Sequence, residues 1–322
     1  MSQSFTLSNV EALGKEADPI PVTVLVPVRN EAGHLSRCLE ALNQFDEVFV
    51  IDSQSTDATV EIASKHGARV AQFYYQGGWP KKRQWALDSL PIASPWVLLL
   101  DADEIVTPEL ANEIRCVIKA DSHDGYWLRL NLTFLGGELR HGDASFWKLS
   151  LFRKGFGRFE CRLRDQDDSM SDIEVHEHVV VHGRCGKLQS PLLHENVDSL
   201  SRYIRKHDQY SNWESRVLVG EEATGELTPT PFGNQAQQRR WLKLLLYRMP
   251  GSPLLLFFYR YFLRLGFLDG RPGFFYCAFQ AIHLFQIKAK IYEQRRKAKF
   301  SRMGEDAFSG SPSSARDPEP QC

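Results

Sequence analysis

The sequence lacks the features of several common classes of protein. It has no run of about 18–20 apolar residues, the length that a membrane-spanning helix needs, because the best candidate, residues 254–267, contains Arg260 and Arg264. Its six cysteines form no C-x-x-C pair and show no zinc-ligand spacing, so we expect reduced, mainly structural thiols. The first 20 residues are polar and lack the apolar core of a signal peptide. These absences predict a cytoplasmic protein.

Two glycine-rich phosphate-binding motifs are also absent. A dinucleotide-binding unit needs G-x-G-x-x-G after its first strand, where this chain has VPVRNE, and the P-loop pattern G-x-x-x-x-G-K-[ST] occurs nowhere in it. A phosphorylated ligand would therefore be held in another way, for which a divalent cation on carboxylates is suitable.

The charge of the chain is unevenly distributed, although the net charge is only −1. Residues 239–302 contain 14 Lys and Arg against two acids, Asp269 and Glu293, a local charge of +12 that leaves −13 for the rest. The segment is also rich in Leu, Phe and Tyr, which is typical of a region lying on an anionic membrane surface. The alternative is a helical hairpin that only packs on the rest of the protein. No nucleic-acid-binding signature accompanies the basic residues, so we expect no nucleic-acid partner.

Strand-like and helix-like segments alternate up to Pro108. Short β-branched or apolar runs at 22–28, 47–52, 68–75 and 96–100 are each followed by a helix-like segment. The helix after the second run would begin near Thr56 and end at Gly67, and the helix after the fourth run would have Thr107 as N-cap and Pro108 at its first position. This order predicts an α/β fold with a mostly parallel sheet that is covered on both faces. Ligands of such sheets bind beyond the carboxyl ends of the strands. The polar residues that follow these runs are Arg29, Asn30, Glu31, Asp52, Asp101 and Asp103.

The segment VLLLDADE at 97–104 carries the most informative pair of residues. If the chain stays extended, Asp101 and Asp103 point to one side and Ala102 points to the other. Two hard oxygen ligands at a strand end suit Mg²⁺ or Mn²⁺, which keep coordination positions for phosphate oxygens. The alternative is a solvated strand end, because Asp is common in turns.

Four segments together resemble the successive motifs of family-2 glycosyltransferases with the GT-A fold: VTVLVPVRNE, VIDSQSTDATVEIA, GWPKKRQWAL and LLLDADE. The resemblance is clear from Val22 to Asp103 and extends through VHEHV and LLHEN to GFLDGRPGF, where it is similar to the lipopolysaccharide-core branch. It implies an inverting, metal-dependent hexosyl transfer from a nucleotide sugar, in the first place a UDP-sugar, to a lipid-linked glycan. The alternatives are an exopolysaccharide or polyprenyl-phosphate transferase, and a non-catalytic protein that binds nucleotide sugars.

The resemblance also implies roles for the donor-side residues. Glu31 and Asp52 would hold the ribose and the base, because carboxylates accept hydrogen bonds from hydroxyl and N–H groups. Asp57 would instead support its own helix. The residues near the diphosphate would be Lys81, Lys82 and Arg83.

The cation would lie on Asp103, with Asp101 binding it directly or through water. His194, in LLHEN, would approach the cation or the diphosphate, or else serve as a structural histidine. The divalent cation would bridge the diphosphate and stabilise the leaving nucleotide.

An inverting displacement needs one base to deprotonate the acceptor hydroxyl. The resemblance places a carboxylate near IEVHEHV, so Glu177 is the first candidate, and Asp172, Glu174 and His176 are alternatives. We expect no zinc site there, because the run lacks the spacing H-E-x-x-H.

The sequence divides the chain into five parts: an N-terminal extension at 1–20, a GT-A catalytic domain at 21–220, a linker or mobile loop at 221–238, an amphipathic helical membrane-associating region at 239–302 and a disordered tail at 303–322. The expected location is cytoplasmic and peripheral, on the inner face of the cytoplasmic membrane, whose anionic surface would be a partner.

Overall fold

The computed structural model describes residues 18–164, 172, 178–195, 199–219, 229–232 and 235–309. The first elements, in chain order, are β1 (Ile20–Val28), α1 (Leu35–Glu40), β2 (Phe45–Asp52), α2 (Thr59–Lys65), β3 (Arg69–Gln72), α3 (Lys82–Ser89) and β4 (Trp96–Leu99). They are followed by β5 (Glu104–Val106), α4 (Pro108–Ala120), β6 (Gly125–Phe134), β7 (Gly137–Leu139), β8 (Phe146–Arg153), β9 (Gly157–Phe159), β10 (Val179–Val181) and β11 (Cys185–Glu195). The last helices are α5 (Leu200–Val219), α6 (Gln235–Arg248), α7 (Ser252–Phe258) and α8 (Gly270–Ser309).

The main sheet has nine strands in the order β3-β2-β1-β4-β8-β6-β11-β5, and β7 pairs with β6 outside this path. Strands β3, β2, β1 and β4 are parallel to one another, and β6 is parallel to β11. Because β8 runs antiparallel to both β4 and β6, these two point in the same direction. The carboxyl ends of β1, β2, β3, β4, β6 and β11 therefore lie at one edge of the sheet, which we call the carboxyl edge.

The central strands are buried on both faces. Val24 and Val26 pack in one core cluster with Ile114 of α4. Leu25 packs in a second cluster with Ala86 of α3. Successive residues of β1 thus contribute to opposite cores, which explains why the strand is apolar along its length. Side chains of this size stabilise the fold by about 1.5–3 kcal/mol each when fully buried.

The predicted α/β class and the order of the first elements are confirmed. The helix predicted between Thr56 and Gly67 is α2, and Gly67 has the positive φ of +74° that favours glycine after a helix. Helix α4 begins as predicted after Thr107, whose hydroxyl accepts the N–H of Leu110 at 3.1 Å. Pro108 stands at its first position, where no N–H is needed.

The C-terminal part is helical, as predicted. Helix α8 packs along both α5 and α7. Between α7 and α8 lie a π-helical turn at Tyr259–Leu263 and a 3₁₀ turn at Gly266–Asp269. None of the helices in the described ranges is long and apolar enough to cross a membrane.

Two predicted boundaries in this part differ from the structure. Helix α6 begins at Gln235, inside the predicted linker at 221–238, because the segment from Gln235 to Arg240 consists of good helix formers. Helix α8 continues to Ser309, beyond the predicted start of the disordered tail at 303.

Candidate active site

Asp101 and Asp103 lie in a turn at the carboxyl edge. Strand β4 ends at Leu99 and β5 begins at Glu104, whose N–H donates to the carbonyl of Asp101 at 3.0 Å. The extended geometry predicted for the two aspartates is therefore wrong. The chain turns because β5 leaves β4 and pairs antiparallel with β11 instead. Ala102, between the two aspartates, is buried.

Asp101 is bound by two basic side chains. Arg83 pairs with its Oδ1, and Lys148 Nζ lies 2.9 Å from its Oδ2. The same Nζ lies 2.9 Å from Oε1 of Glu104, and Oε2 of Glu104 accepts the N–H of Asp101 at 2.8 Å. Glu104 is fully buried. One ammonium group on β8 thus joins the first aspartate of the D-x-D segment to the buried acid that follows it.

The charge states of these groups follow from burial and from their neighbours. Burial raises the pKa of Glu104, and Lys148 only partly opposes that rise. Burial would also raise the pKa of Asp101, but Arg83 and Lys148 hold it well below its usual value. Burial would lower the pKa of Lys148, whereas Asp101 and Glu104 raise it above its usual value. At neutral pH, therefore, Lys148 is charged and Asp101 is an ionised, already compensated carboxylate.

Asp103 lies beside His194, and the role of either residue in binding a cation stays a prediction. The His194 Nε2 atom is 3.5 Å from Oδ2 of Asp103, and its buried Nδ1 has no hydrogen-bond partner among the described residues. Strand β11 brings this histidine to the turn because it pairs with β5 on one side and with β6 on the other.

A cation at Asp103 fits the available ligands only in part. The described residues contain no group of three or more His, Cys, Asp and Glu side chains that could hold a metal ion. Asp103 and His194 offer one oxygen and one nitrogen. The carboxylate suits an ion such as Mg²⁺, which uses one or two carboxylates and takes its other ligands from phosphate and water, whereas the imidazole nitrogen is not a ligand that Mg²⁺ prefers.

Helix α5 brings further positive charge to the site. Arg202 pairs with Oε1 of Glu31, and Lys206 Nζ lies 4.0 Å from the same oxygen. Burial would lower the pKa of Lys206, but Asp103 and Glu31 raise it above its usual value, so Lys206 is charged. Arg202, Lys206 and Tyr210 are spaced by four residues and share one face of the helix. Burial raises the pKa of Tyr210, which therefore remains a neutral phenol.

Asp52 follows β2 as predicted and binds the loop after that strand. Its carboxylate accepts the N–H of Ser55 at 3.1 Å and the side-chain amide of Gln72 at 3.0 Å, and the residue is 1% exposed. Asp52 thus stabilises the loop after β2 in the structure. Its role in donor binding stays a prediction. Asp57 supports its helix as predicted, because it accepts the N–H of Thr59 at 3.1 Å.

The three basic residues at the start of α3 do not form a solvated face. Lys81, Lys82 and Arg83 are 1%, 2% and 9% exposed. Arg83 contacts Asp101, Lys82 Nζ lies 3.1 Å from Asp172, and Lys81 Nζ lies 5.5 Å from the ring centre of Trp213. The three side chains therefore diverge. The contact with Asp101 brings Arg83 to the predicted cation site.

The predicted base, Glu177, and its alternatives Glu174 and His176 lie outside the described residues. Asp172 is described, and its carboxylate pairs with Lys82. Burial would raise the pKa of Asp172, but Lys82 is the main cause that brings it below its usual value. A carboxylate held in this way is a poor proton acceptor, so the pairing disfavours Asp172 as the base.

Four charged residues of the site were not predicted from the sequence. They are Glu104, Lys148, Arg202 and Lys206. Lys148 could have been noticed, because it is the only charged residue in the otherwise apolar run FWKLSLF of β8. Glu104 could have been noticed as a third acid directly after the D-x-D pattern.

The family follows from comparison with known proteins. Residues 23–169 match the model of the family described as Glycosyl transferase family 2. Residues 23–169 belong to this family. The predicted resemblance and the glycosyltransferase activity are thus confirmed, as is the mixed α/β fold with its mostly parallel central sheet and long C-terminal helix.

Two curated relatives are similar over most of their length. An uncharacterized glycosyltransferase of Rickettsia felis is 26% identical over 283 residues, which are 86% of this chain and 92% of that protein. The lipopolysaccharide core biosynthesis glycosyltransferase LpsC of Rhizobium meliloti is 26% identical over 310 residues, which are 90% of this chain and 98% of that protein.

Solved structures show more distant likeness. TarS 1–349 of S. aureus is 16% identical with a TM-score of 0.39, over 86% of this chain and 91% of that one. Glucosyl-3-phosphoglycerate synthase of Mycobacterium tuberculosis, in complex with Mn²⁺, UDP and glucosyl-3-phosphoglycerate, is 25% identical with a TM-score of 0.23. That match covers 26% of this chain and 34% of the synthase, about a third of its length.

Proposed function

We propose that this glycosyltransferase inverts the anomeric centre of a sugar that it moves from a nucleotide donor, in the first place a UDP-sugar, to a lipid-linked glycan of the lipopolysaccharide core. The acceptor class is supported by LpsC, whose name assigns it to core biosynthesis and of which 98% is matched. The donor class is supported by the concentration of charged side chains at the carboxyl edge.

One observation carries the proposal: acids and bases alternate around Asp103. Arg83 and Lys148 bind Asp101, and the α5 residues Arg202 and Lys206 bind Glu31. A diphosphate bound at Asp103 would be near these bases, and a leaving nucleoside diphosphate needs such positive charge as its bond to the sugar breaks. All four bases lie on helices or strands, which fix the positions of their backbones.

Asp103 would hold the divalent cation, with His194 beside it. Such an ion, when bound, supplies Lewis-acid stabilisation of the leaving diphosphate. Because the chain itself offers few ligands, we expect the cation and the donor to bind together rather than separately.

The acceptor side would need one proton acceptor, for which Glu177 remains our candidate. The acceptor hydroxyl oxygen forms the new bond to the anomeric carbon, and its proton passes to the carboxylate. The bond from the anomeric carbon to the phosphate oxygen breaks, and its electron pair leaves with the nucleoside diphosphate. One displacement of this kind inverts the anomeric configuration.

A thermal-shift screen tests the donor. UDP-glucose, UDP-galactose, UDP-N-acetylglucosamine and GDP-mannose would each be added with Mn²⁺ or with EDTA. A ligand at 100 times its dissociation constant stabilises the folded state by about 2.7 kcal/mol, so the true donor raises the unfolding midpoint with Mn²⁺ and much less with EDTA. If none of a full panel of nucleotide sugars shifts the midpoint, the donor assignment is wrong.

A transfer assay tests the acceptor. Membranes of a strain with a truncated lipopolysaccharide core would be compared with membranes that supply only polyprenyl-phosphate, using the donor found in the screen. Transfer to the truncated core lipid supports the proposal. Transfer to polyprenyl-phosphate alone would establish the alternative acceptor instead.

A further inference from the structure

Exposed apolar side chains are concentrated in the C-terminal helices. Of the 26 large hydrophobic residues that are exposed in the described part of the chain, 18 lie between Trp241 and Phe300. The densest group belongs to residues 254–275, which form α7, the two short turns and the start of α8; we call it the aromatic hairpin. Leu263 and Phe258 are 76% and 55% exposed. Soluble monomeric proteins rarely leave so continuous an apolar surface without a partner.

The aromatic hairpin is fixed to the catalytic domain. Arg260 donates to the carbonyl of Gly142 at 3.1 Å. His141 Nδ1 lies 2.7 Å from Oδ1 of Asp269. At Gly142 an added Cβ would lie 3.2 Å from the sulfur of Cys277, so α8 approaches this loop closely. The hairpin is therefore not a loosely tethered segment, and its orientation fixes the orientation of the enzyme.

The aromatic hairpin lies at the same edge of the sheet as the active site. It packs next to β7, which follows the carboxyl end of β6, and β6 points in the same direction as β4. Helix α5 connects the two places through neighbouring residues. Arg202 pairs with Glu31, whereas Tyr203 packs against Phe134 and Phe279 with ring centres 5.1 and 5.5 Å apart.

The exposed charge beside the aromatic hairpin is positive. Arg264 and Arg271 are exposed. The sole acid of the hairpin, Asp269, has a side chain that is only 4% exposed and is turned towards His141. Arg271 also lines a groove of about 540 Å³ together with the aromatic residues Tyr261, Phe267, Phe274 and Phe275. The exposed Asp143 lies 3.6 Å from Arg264 and 3.9 Å from Arg260, so its charge is compensated by these arginines. An apolar surface on which arginines outnumber carboxylates is complementary to an anionic lipid layer.

We propose that the aromatic hairpin inserts into the anionic leaflet of a membrane and thereby holds the carboxyl edge of the sheet against the lipid. A second copy of the chain is a less suitable occupant, because two such surfaces would bring together arginines that outnumber the one exposed acid beside them, Asp143. The membrane anchor is thus narrower than the basic segment 239–302 as a whole.

This orientation gives the active site a defined relation to its substrate. If the proposed function holds, this orientation places the glycan of a lipid-linked acceptor at the level of Asp103 while its lipid remains in the leaflet. The nucleotide sugar would enter from the aqueous side. The aromatic hairpin would then both attach the enzyme to the membrane and bring the active site to the lipid-linked acceptor.

Vesicle sedimentation of the full chain tests the inference. Vesicles of equal parts phosphatidylglycerol and phosphatidylethanolamine would be compared with phosphatidylcholine vesicles. We expect Phe258→Ser/Leu263→Ser to lower partitioning into the anionic vesicles at least about tenfold, because both exposed side chains lose their transfer into lipid. The matched control Phe156→Ser removes a 41% exposed Phe after β8, at the opposite edge, and should change nothing.

A charge variant separates the electrostatic contribution to vesicle binding from the hydrophobic one. Arg264→Gln/Arg271→Gln should weaken binding to anionic vesicles and make the remainder less sensitive to salt. All substituted side chains are exposed, so equal unfolding midpoints are expected for every variant and would be measured on the same samples. Donor binding, measured by calorimetry with UDP and Mn²⁺, should be unchanged.

The outcomes distinguish this inference from the proposed function. Wild-type protein that binds neither vesicle, or a Phe258→Ser/Leu263→Ser variant that binds like wild type, would overturn the membrane anchor. The membrane anchor would also be overturned if the wild-type protein were a dimer and the Phe258→Ser/Leu263→Ser variant were a monomer that still bound vesicles. A second copy of the chain would then cover the aromatic hairpin. Loss of donor binding in the wild-type protein would instead reject the proposed function and leave the anchor standing.

Discussion

Lys148 Nζ lies 2.9 Å from Asp101 and 2.9 Å from the buried Glu104, so one strand residue neutralises two acids of the D-x-D turn. Its removal would leave a buried carboxylate without its positive partner. We therefore expect Lys148→Met to lower the free energy of unfolding by about 3–5 kcal/mol, measured by urea denaturation at pH 7. The control Lys299→Met, at an exposed position of α8, should change it by no more than about 0.5 kcal/mol. Equal stability of both variants would mean that Lys148 does not hold the turn.

The α5 residues Arg202 and Lys206 should bind the donor diphosphate. We expect Arg202→Gln and Lys206→Gln each to weaken binding of UDP with Mn²⁺ at least about tenfold, because a hydrogen bond to a charged group contributes about 1.5–3 kcal/mol. Arg205→Gln is the matched control, since Arg205 lies on the same helix but is exposed. Calorimetric titration measures all three. Wild-type affinity in the first two variants would leave Arg202 and Lys206 with a purely structural role at Glu31.

The acceptor base can be separated from donor binding. We expect Glu177→Gln to reduce the transfer rate by about 10²–10⁴-fold while the affinity for the donor stays the same. Asp172→Asn is the informative comparison, because Asp172 is paired with Lys82 and should affect stability more than chemistry. Transfer kinetics and donor titration on both variants decide the assignment. If Glu177→Gln transfers sugar at the wild-type rate, one of the alternatives in that segment must be the base.

The half-buried His283 predicts how the free energy of unfolding depends on pH. Burial lowers the pKa of His283 to about 3, and His207, with its ring centre 5.1 Å away, contributes to this shift. Because the folded-state pKa lies below the unfolded value of about 6.5, the stability it contributes is present above pH 6.5 and is lost as pH falls towards 3.

His283→Gln should therefore flatten the decline of unfolding free energy between about pH 6.5 and pH 5, where the unfolded histidine takes up its proton. Denaturant unfolding across this range measures the slope. His66→Gln, at an exposed position, serves as the control and should leave the slope unchanged. An unchanged slope in His283→Gln would show that this histidine does not remain neutral in the folded protein.

Much of the fold could be predicted because its signals are local. The run from Val22 to Val28 is apolar on both faces, as a parallel strand in the middle of a sheet must be. Thr107 and Pro108 marked the start of α4 by capping chemistry alone. Such features depend on a few neighbouring residues and need no knowledge of the tertiary structure.

The site was predictable only where its residues follow strands. Asp52, Asp101 and Asp103 were found at the carboxyl edge for that reason. Lys148 and Arg202 reach it from distant elements, and their positions depend on the pairing of β8 with β4 and on the packing of α5. The turn at Asp101 was missed for the same reason, because the partner of β5 is β11, about 90 residues later in the sequence.

A cation-dependent donor site at Asp103 is the central feature of the proposed function. The direct measurement is calorimetric titration of UDP into the wild-type chain and into Asp103→Asn, each with Mn²⁺ and with EDTA. The control is Asp121→Asn, which removes the same charge from an exposed residue at the end of α4, where Asn also tolerates the φ of +52°. We predict that wild type and Asp121→Asn bind UDP tightly only with Mn²⁺, and that Asp103→Asn loses this dependence. Equal, Mn²⁺-dependent binding by Asp103→Asn would contradict the account.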